Sequence, residues 1–84
     1  AVDYYKKSAE LNFLPAVREI GLRYYEGKGV PQDFYLSVKW FRKAAEAGLA
    51  SAQWDLGKCY EEGKGVTQEL TVAVEWYQKA AEQK

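Results

Sequence analysis

The 84-residue chain has no histidine, no methionine, two prolines and a single cysteine. Without histidine there is no Ser-His or Cys-His nucleophile pair and no imidazole to hold a metal ion. One cysteine excludes an internal disulfide and a thiolate metal cluster, so no metal site and no cofactor are expected. An excess of charge of one sign is also missing. Lys and Arg number 12, Asp and Glu number 12, and the formal net charge is zero. That balance argues against nucleic acid as the partner, because binding a phosphate backbone needs a basic stripe for counterion release. No apolar run approaches the roughly 18–20 residues that a membrane span needs, so no membrane insertion is expected. The start carries no signal-peptide pattern. It also lacks an initiating Met, so the chain is expected to be a piece of a longer protein, and its compartment stays open.

What the chain does have is repetition. Ala16, Gly21, Tyr24, Gly27, Lys28, Gly29, Val30, Gln32, Val38, Trp40, Lys43, Ala44, Ala45 and Glu46 all recur 36 residues later, from Ala52 through Gly57, Tyr60, Gly63, Gly65 and Trp76 to Glu82. The same step backwards lays Val2, Lys7, Ala9 and Glu10 on Val38, Lys43, Ala45 and Glu46. A period of this length marks a stacked array of small units, each too small to bury a core alone. Hydrophobic residues make up 48% of the chain and aromatics 15%, enough to furnish a shared core and to argue against disorder.

The middle unit reads as a helix pair. Pro15 suits a first helical turn. Ala16, Val17, Ile20, Gly21 and Tyr24 fall on one face at helical spacing. Gly27 and Gly29 end the helix, since glycine adopts left-handed backbone at little cost. Asp33 is placed to cap a second helix, which carries Phe34, Val38, Phe41 and Ala45 on one strip and Trp40, Ala44 and Ala47 on another. Gly48 closes it. The last unit repeats the plan, with Ser51 expected as the cap, Gly63 and Gly65 in the loop, and a helix from about Leu70 to Glu82. The expectation is an all-α solenoid of antiparallel helix pairs with five helices. They divide into the second helix of a partial repeat (1–14), a full repeat (15–50) and another (51–84). Gly21 and Gly57 lie mid-helix, where Gly costs about 1 kcal/mol relative to Ala. Their duplication predicts close approach of an aromatic ring from the facing helix.

The pattern Ala16-x3-Ile20-Gly21-x2-Tyr24-x2-Gly27-x-Gly29-Val30, with Asp33 and Trp40-Phe41-x-Lys43-Ala44-Ala45-Glu46, resembles the Sel1-like repeat, a relative of the tetratricopeptide repeat. The copy from Ala52 to Glu82 resembles it more closely still. The resemblance implies a right-handed superhelix with a concave inner surface, and a scaffold or adaptor that binds another protein or peptide rather than an enzyme. Two departures matter. Glu69 replaces Asp33 as the cap. The positions seven and eight after Cys59 are Val66 and Thr67, so the disulfide scheme of the cysteine-rich bacterial branch is absent.

Other groupings carry little chemistry. Gly27-Lys28-Gly29 and Gly63-Lys64-Gly65 lack the spacing and strand-to-helix context of a phosphate loop. Glu61-Glu62, and Asp55 with Glu62, read as outward helical charges rather than a catalytic carboxylate pair. Cys59 reads as a partly buried neutral thiol. Tyr24, Tyr60, Trp40 and Trp76 sit at repeated positions and are assigned to packing. Carrying the superhelix over by register puts Arg18, Leu22 and Tyr25 of one unit, and Trp54, Lys58 and Glu61 of the next, on the inner surface. These positions differ between units, and Trp, Tyr and Arg are common binding hot spots. Two other roles fit the same sequence: an architectural spacer, or a carbohydrate or cell-wall binder using surface aromatics. Unpartnered helices at the ends would also expose apolar strips, which predicts self-association.

Overall fold

The computed structural model describes residues 14–82. They form four helices of 13 residues each: α1 Leu14–Glu26, α2 Phe34–Glu46, α3 Ala50–Glu62 and α4 Leu70–Glu82. No strand occurs among the described residues. The expected helix over 1–14 lies outside them except for Leu14, which opens α1 instead. Each helix packs on the next in order, α1 on α2, α2 on α3 and α3 on α4, so the chain runs as consecutive helix hairpins.

Local chemistry sets each boundary. The long α1–α2 and α3–α4 connections open on Gly27 and Gly63, whose φ values of 72° and 70° are left-handed. Gly27 N–H donates to the Arg23 carbonyl at 2.7 Å, and Gly63 N–H to that of Cys59. The repeated glutamines finish both turns. Gln32 Nε2 donates to the Tyr25 carbonyl at 2.9 Å and Gln68 Nε2 to the Glu61 carbonyl at 2.7 Å. Each satisfies a carbonyl that the helix end leaves without an intrahelical partner. Asp33 caps α2, its carboxylate accepting from Leu36 N–H at 3.1 Å.

The α2–α3 connection is shorter, and here the expected cap is corrected. Gly48 N–H and Leu49 N–H bond back to the Ala45 and Ala44 carbonyls at 3.0 and 3.1 Å. α3 therefore starts at Ala50, with Leu49 in the cap position and no side-chain cap bond. Ser51, expected as the cap, lies inside the first turn. Gln53 completes this turn by donating from Nε2 to the Ala45 carbonyl at 3.0 Å.

The core lies where α1, α2 and α3 converge: Val17, Val38, Phe41, Ala44, Ala45, Ala52, Leu56 and Cys59. Phe41 is its largest fully buried side chain. Trp40, Tyr60 and Trp76 are half-buried and pack against the edge of this cluster. Tyr24 is half-buried. A Cβ on Gly21 would lie 2.7 Å from Cδ1 of Phe41, and one on Gly57 would lie 2.9 Å from Cδ1 of Tyr77. At both mid-helix glycines the facing ring thus occupies the space a side chain would need. Ser37 uses the same close approach, its hydroxyl donating to the Gly21 carbonyl at 2.9 Å in a buried setting. Ala16 and Ile20, expected inside, are exposed, whereas their counterparts Ala52 and Leu56 are buried. Ala52 and Leu56 pack into the cluster that α2 supplies.

Candidate functional site

The first helices of the two units, α1 and α3, face each other across a cleft of about 160 Å³ lined by Leu22, Tyr25, Glu26, Phe41, Asp55 and Lys58. Leu22, Tyr25 and the core ring of Phe41 supply apolar surface; Glu26, Asp55 and Lys58 supply charge. Leu22 and Tyr25 lie one helical turn apart on α1, and Asp55 and Lys58 do so on α3, so each helix presents one stripe to the cleft.

Two polar staples hold α1 and α3 together. Arg18 Nε donates to Asp55 Oδ2, with a long second contact from Nη2 to Oδ1 at 3.5 Å. Asp55 is only 9% exposed. Expected from the sequence as an outward charge, it points instead into the inter-unit contact and is paired there, as burying a carboxylate requires. At the other end Tyr25 hydroxyl donates to Glu62 Oε1 at 3.1 Å and accepts from Lys64 Nζ at 3.2 Å. Lys64 lies 5.2 Å from the centre of the Tyr25 ring and 5.3 Å from that of Phe34. Those two rings meet edge-on at 5.2 Å. The bond to Tyr25 and the Glu62 carboxylate raise the Lys64 pKa above its ordinary value. The loop lysine of one unit is thus held by the aromatic pair of the unit before it.

The six residues expected on the inner surface divide into two groups. Leu22, Tyr25 and Lys58 line the cleft, and Arg18 bonds to Asp55, which lines it too. Trp54 and Glu61 lie outside it, toward α4. Trp54 is 51% exposed, its ring 5.9 Å from that of Tyr77 and 5.7 Å from Lys58 Nζ. Glu61 accepts a hydrogen bond from the Tyr77 hydroxyl. Burial and the nearby Glu61 carboxylate push the Tyr77 pKa well above its ordinary value. Sequence reasoning missed Glu26, Phe41 and Asp55 as lining residues. Asp55 carried a signal: it sits 37 residues after Arg18, one repeat plus one, the same separation as Tyr25 and Glu62.

Cys59 is fully buried among the core residues. Burial, followed by the charges of Asp55 and Glu62, pushes its thiol from 9.0 up to about 11. The thiol is therefore neutral at pH 7 and a poor nucleophile. Among the described residues no cluster of His, Cys, Asp and Glu is arranged to hold a metal ion, and no helix is long and apolar enough to cross a membrane.

Helix pairs stacked in register, with first helices stapled to first helices, define an α-solenoid. The particular family follows from comparison: the Sel1 repeat model matches residues 1–13, 14–49 and 50–84, and the chain belongs to the Sel1 repeat family. It is similar to a solved Sel1 repeat protein from Oxalobacter formigenes, with a TM-score of 0.82 and 44% identity over 83% of this chain and 29% of that one. It is also similar to a protective antigen present in uropathogenic Escherichia coli strains displaying an SLR fold. There the TM-score is 0.83 and the identity 45%, over 98% of this chain and 18% of that one. The chain thus spans less than a third of the length of either structure. No curated protein matches it. Sel1 repeat proteins are helical protein-interaction modules and typically non-catalytic scaffolds.

Proposed function

We propose that this chain is a non-catalytic protein-interaction segment whose α1–α3 face holds an extended or helical segment of a partner protein. The observation that carries this reading is the cleft between α1 and α3, lined by Leu22, Tyr25 and Phe41 together with Glu26, Asp55 and Lys58. Trp54, exposed beside Lys58, extends the same face toward α4, and Glu61 lies at its far end. The Arg18–Asp55 and Tyr25–Glu62–Lys64 staples support the reading because they fix the two walls before a partner arrives. Pre-organisation of this kind lowers the ordering cost of association.

The test is capture of a partner by the parent-length protein from its own cells, comparing wild type with Lys58→Glu and Trp54→Ala. Neither side chain belongs to the buried core or to the two staples, and a thermal melt of each variant checks that the fold is kept. Loss of the captured protein with either substitution supports the reading. The same capture by all three proteins contradicts it. Tyr25→Ala is unsuitable, because Tyr25 also holds Glu62 and Lys64 and its loss would disturb the unit-to-unit contact itself.

A further inference from the structure

Three polar groups on the α1–α3 cleft have bonding capacity that the described residues do not use. Asp55 is 9% exposed, yet only its Oδ2 is well bonded; Oδ1 has a single contact, to Arg18 Nη2 at 3.5 Å. A carboxylate oxygen accepts about two hydrogen bonds, so a donor entering the cleft finds an acceptor there. The Arg18 guanidinium already balances the Asp55 charge, so a neutral N–H suits this acceptor better than a second cation does. The Lys58 ammonium stands over the Trp54 ring at 5.7 Å and makes no ion pair among the described residues. Glu26 meets Lys28 at 3.7 Å with both side chains at least half exposed, an ion pair of the kind worth little.

These groups select an extended occupant over a helical one. A helix spends its amides on its own carbonyls, whereas an extended segment keeps an N–H free at every residue other than proline. The placement of the two charges fits the same occupant. Lys58 holds the repeat position of Leu22, and Glu26 stands four residues beyond that level on the opposite wall. With packed helix axes about 8–10 Å apart and a helical turn of about 5.4 Å, the charges lie roughly 10 Å apart on a diagonal across the cleft. Alternate residues of an extended chain point the same way and lie about 6.6 Å apart, so three of them span about 13 Å. Such a segment crosses from one wall to the other with its central side chain over Leu22, Tyr25 and Phe41.

We infer that the cleft takes an extended partner segment carrying an acidic, an apolar and a basic residue at alternate positions. The acidic side chain pairs with Lys58, the apolar one enters the cleft, and the basic one pairs with Glu26. The amide N–H of the apolar residue donates to Asp55 Oδ1. This rests on the cleft being the partner site, as proposed above, and narrows that site to one partner chemistry.

The experiment is an NMR titration of the ¹⁵N-labelled chain, up to millimolar concentration of a short peptide with blocked ends. The peptide carries aspartate, leucine and lysine at alternate positions, with threonine between them. The expected result is saturable shifts at the Leu22, Tyr25 and Lys58 amides, with none at Tyr35. Replacing the peptide's leucine by alanine should weaken binding about tenfold, and N-methylating the leucine amide about fivefold. Replacing its aspartate by lysine should weaken binding about fivefold on the wild type, and on Lys58→Glu the order of the two peptides should reverse. The leucine and N-methyl arms need no variant, so they stand whatever Lys58→Glu does to the fold. Three results would overturn the inference: no saturable shift in the cleft, shifts that ignore the peptide's charges, or indifference to N-methylation. If Lys58→Glu or Trp54→Ala still abolishes capture of a partner protein, any of these overturns the inference alone and leaves the cleft as the partner site. If capture is indifferent to those substitutions as well, both fall.

Discussion

At the scale of single residues, the structure turns on a few close contacts. Gly21 faces Phe41 at a distance no Cβ would tolerate. Gly21→Ala gains about 1 kcal/mol in helix propensity but costs about 1–3 kcal/mol in overpacking. The expected net effect is a lower thermal midpoint, and calorimetry checks it. Arg18→Ala leaves the nearly buried Asp55 carboxylate without its partner. A loss of about 1–3 kcal/mol is expected, read as a lower urea midpoint, with the double variant Arg18→Ala/Asp55→Ala recovering part of it. Cys59 gives a pH signature. Its folded pKa of about 11 lies above its ordinary 9.0, so between those values the unfolded chain releases a proton that the folded chain keeps. Stability from this group is fully present below pH 9 and declines as pH rises toward 11. Stability curves from pH 8 to 11, wild type against Cys59→Ala, should converge as pH rises. Iodoacetamide at pH 8 should label Cys59 only after denaturant is added.

At the scale of elements, the repeat lets one position serve as a control for another. Gly29 and Gly65 share a φ of 78°. Around Gly29 only the tip of Arg23 comes within 4.0 Å, whereas Gly65 lies against the Phe34 backbone and Val38. Alanine is strained at both, but at Gly65 it also collides with α2. Gly65→Ala should therefore destabilise the chain by more than Gly29→Ala does, by at least about 1 kcal/mol; paired denaturant melts measure the difference.

The helices themselves were legible in the sequence. Glycine pairs, an Asp cap and 3.6-residue periodicity act within one element, and α1, α2 and α4 follow them. Ser51 misled because the α2–α3 turn is set by backbone bonds from Gly48 and Leu49, which put Leu49 in the cap position with no side-chain bond. Asp55, Ser37 and Gln53 were not legible as contacts. Each meets a group on another helix, and a single unit's pattern does not say which outward position a neighbour will cover. Ala16 shows the same limit from the other side: it shares its repeat position with Ala52, yet one is exposed and the other buried.

At the scale of the whole molecule, the chain is a stretch of Sel1 solenoid in which each unit completes the one before. α3 closes the core over α1 and α2, and Lys64 reaches back to the rings of the preceding unit. The proposed function rests on the wall this stacking creates between α1 and α3. The most direct measurement is site-specific photo-crosslinking in the parent-length protein in its own cells. A benzophenone side chain would stand at Lys58, on the cleft, or at Tyr35, 71% exposed on α2 and outside the cleft. The account predicts a discrete partner adduct from position 58 and none from position 35. An adduct from position 35 with none from position 58 would contradict it.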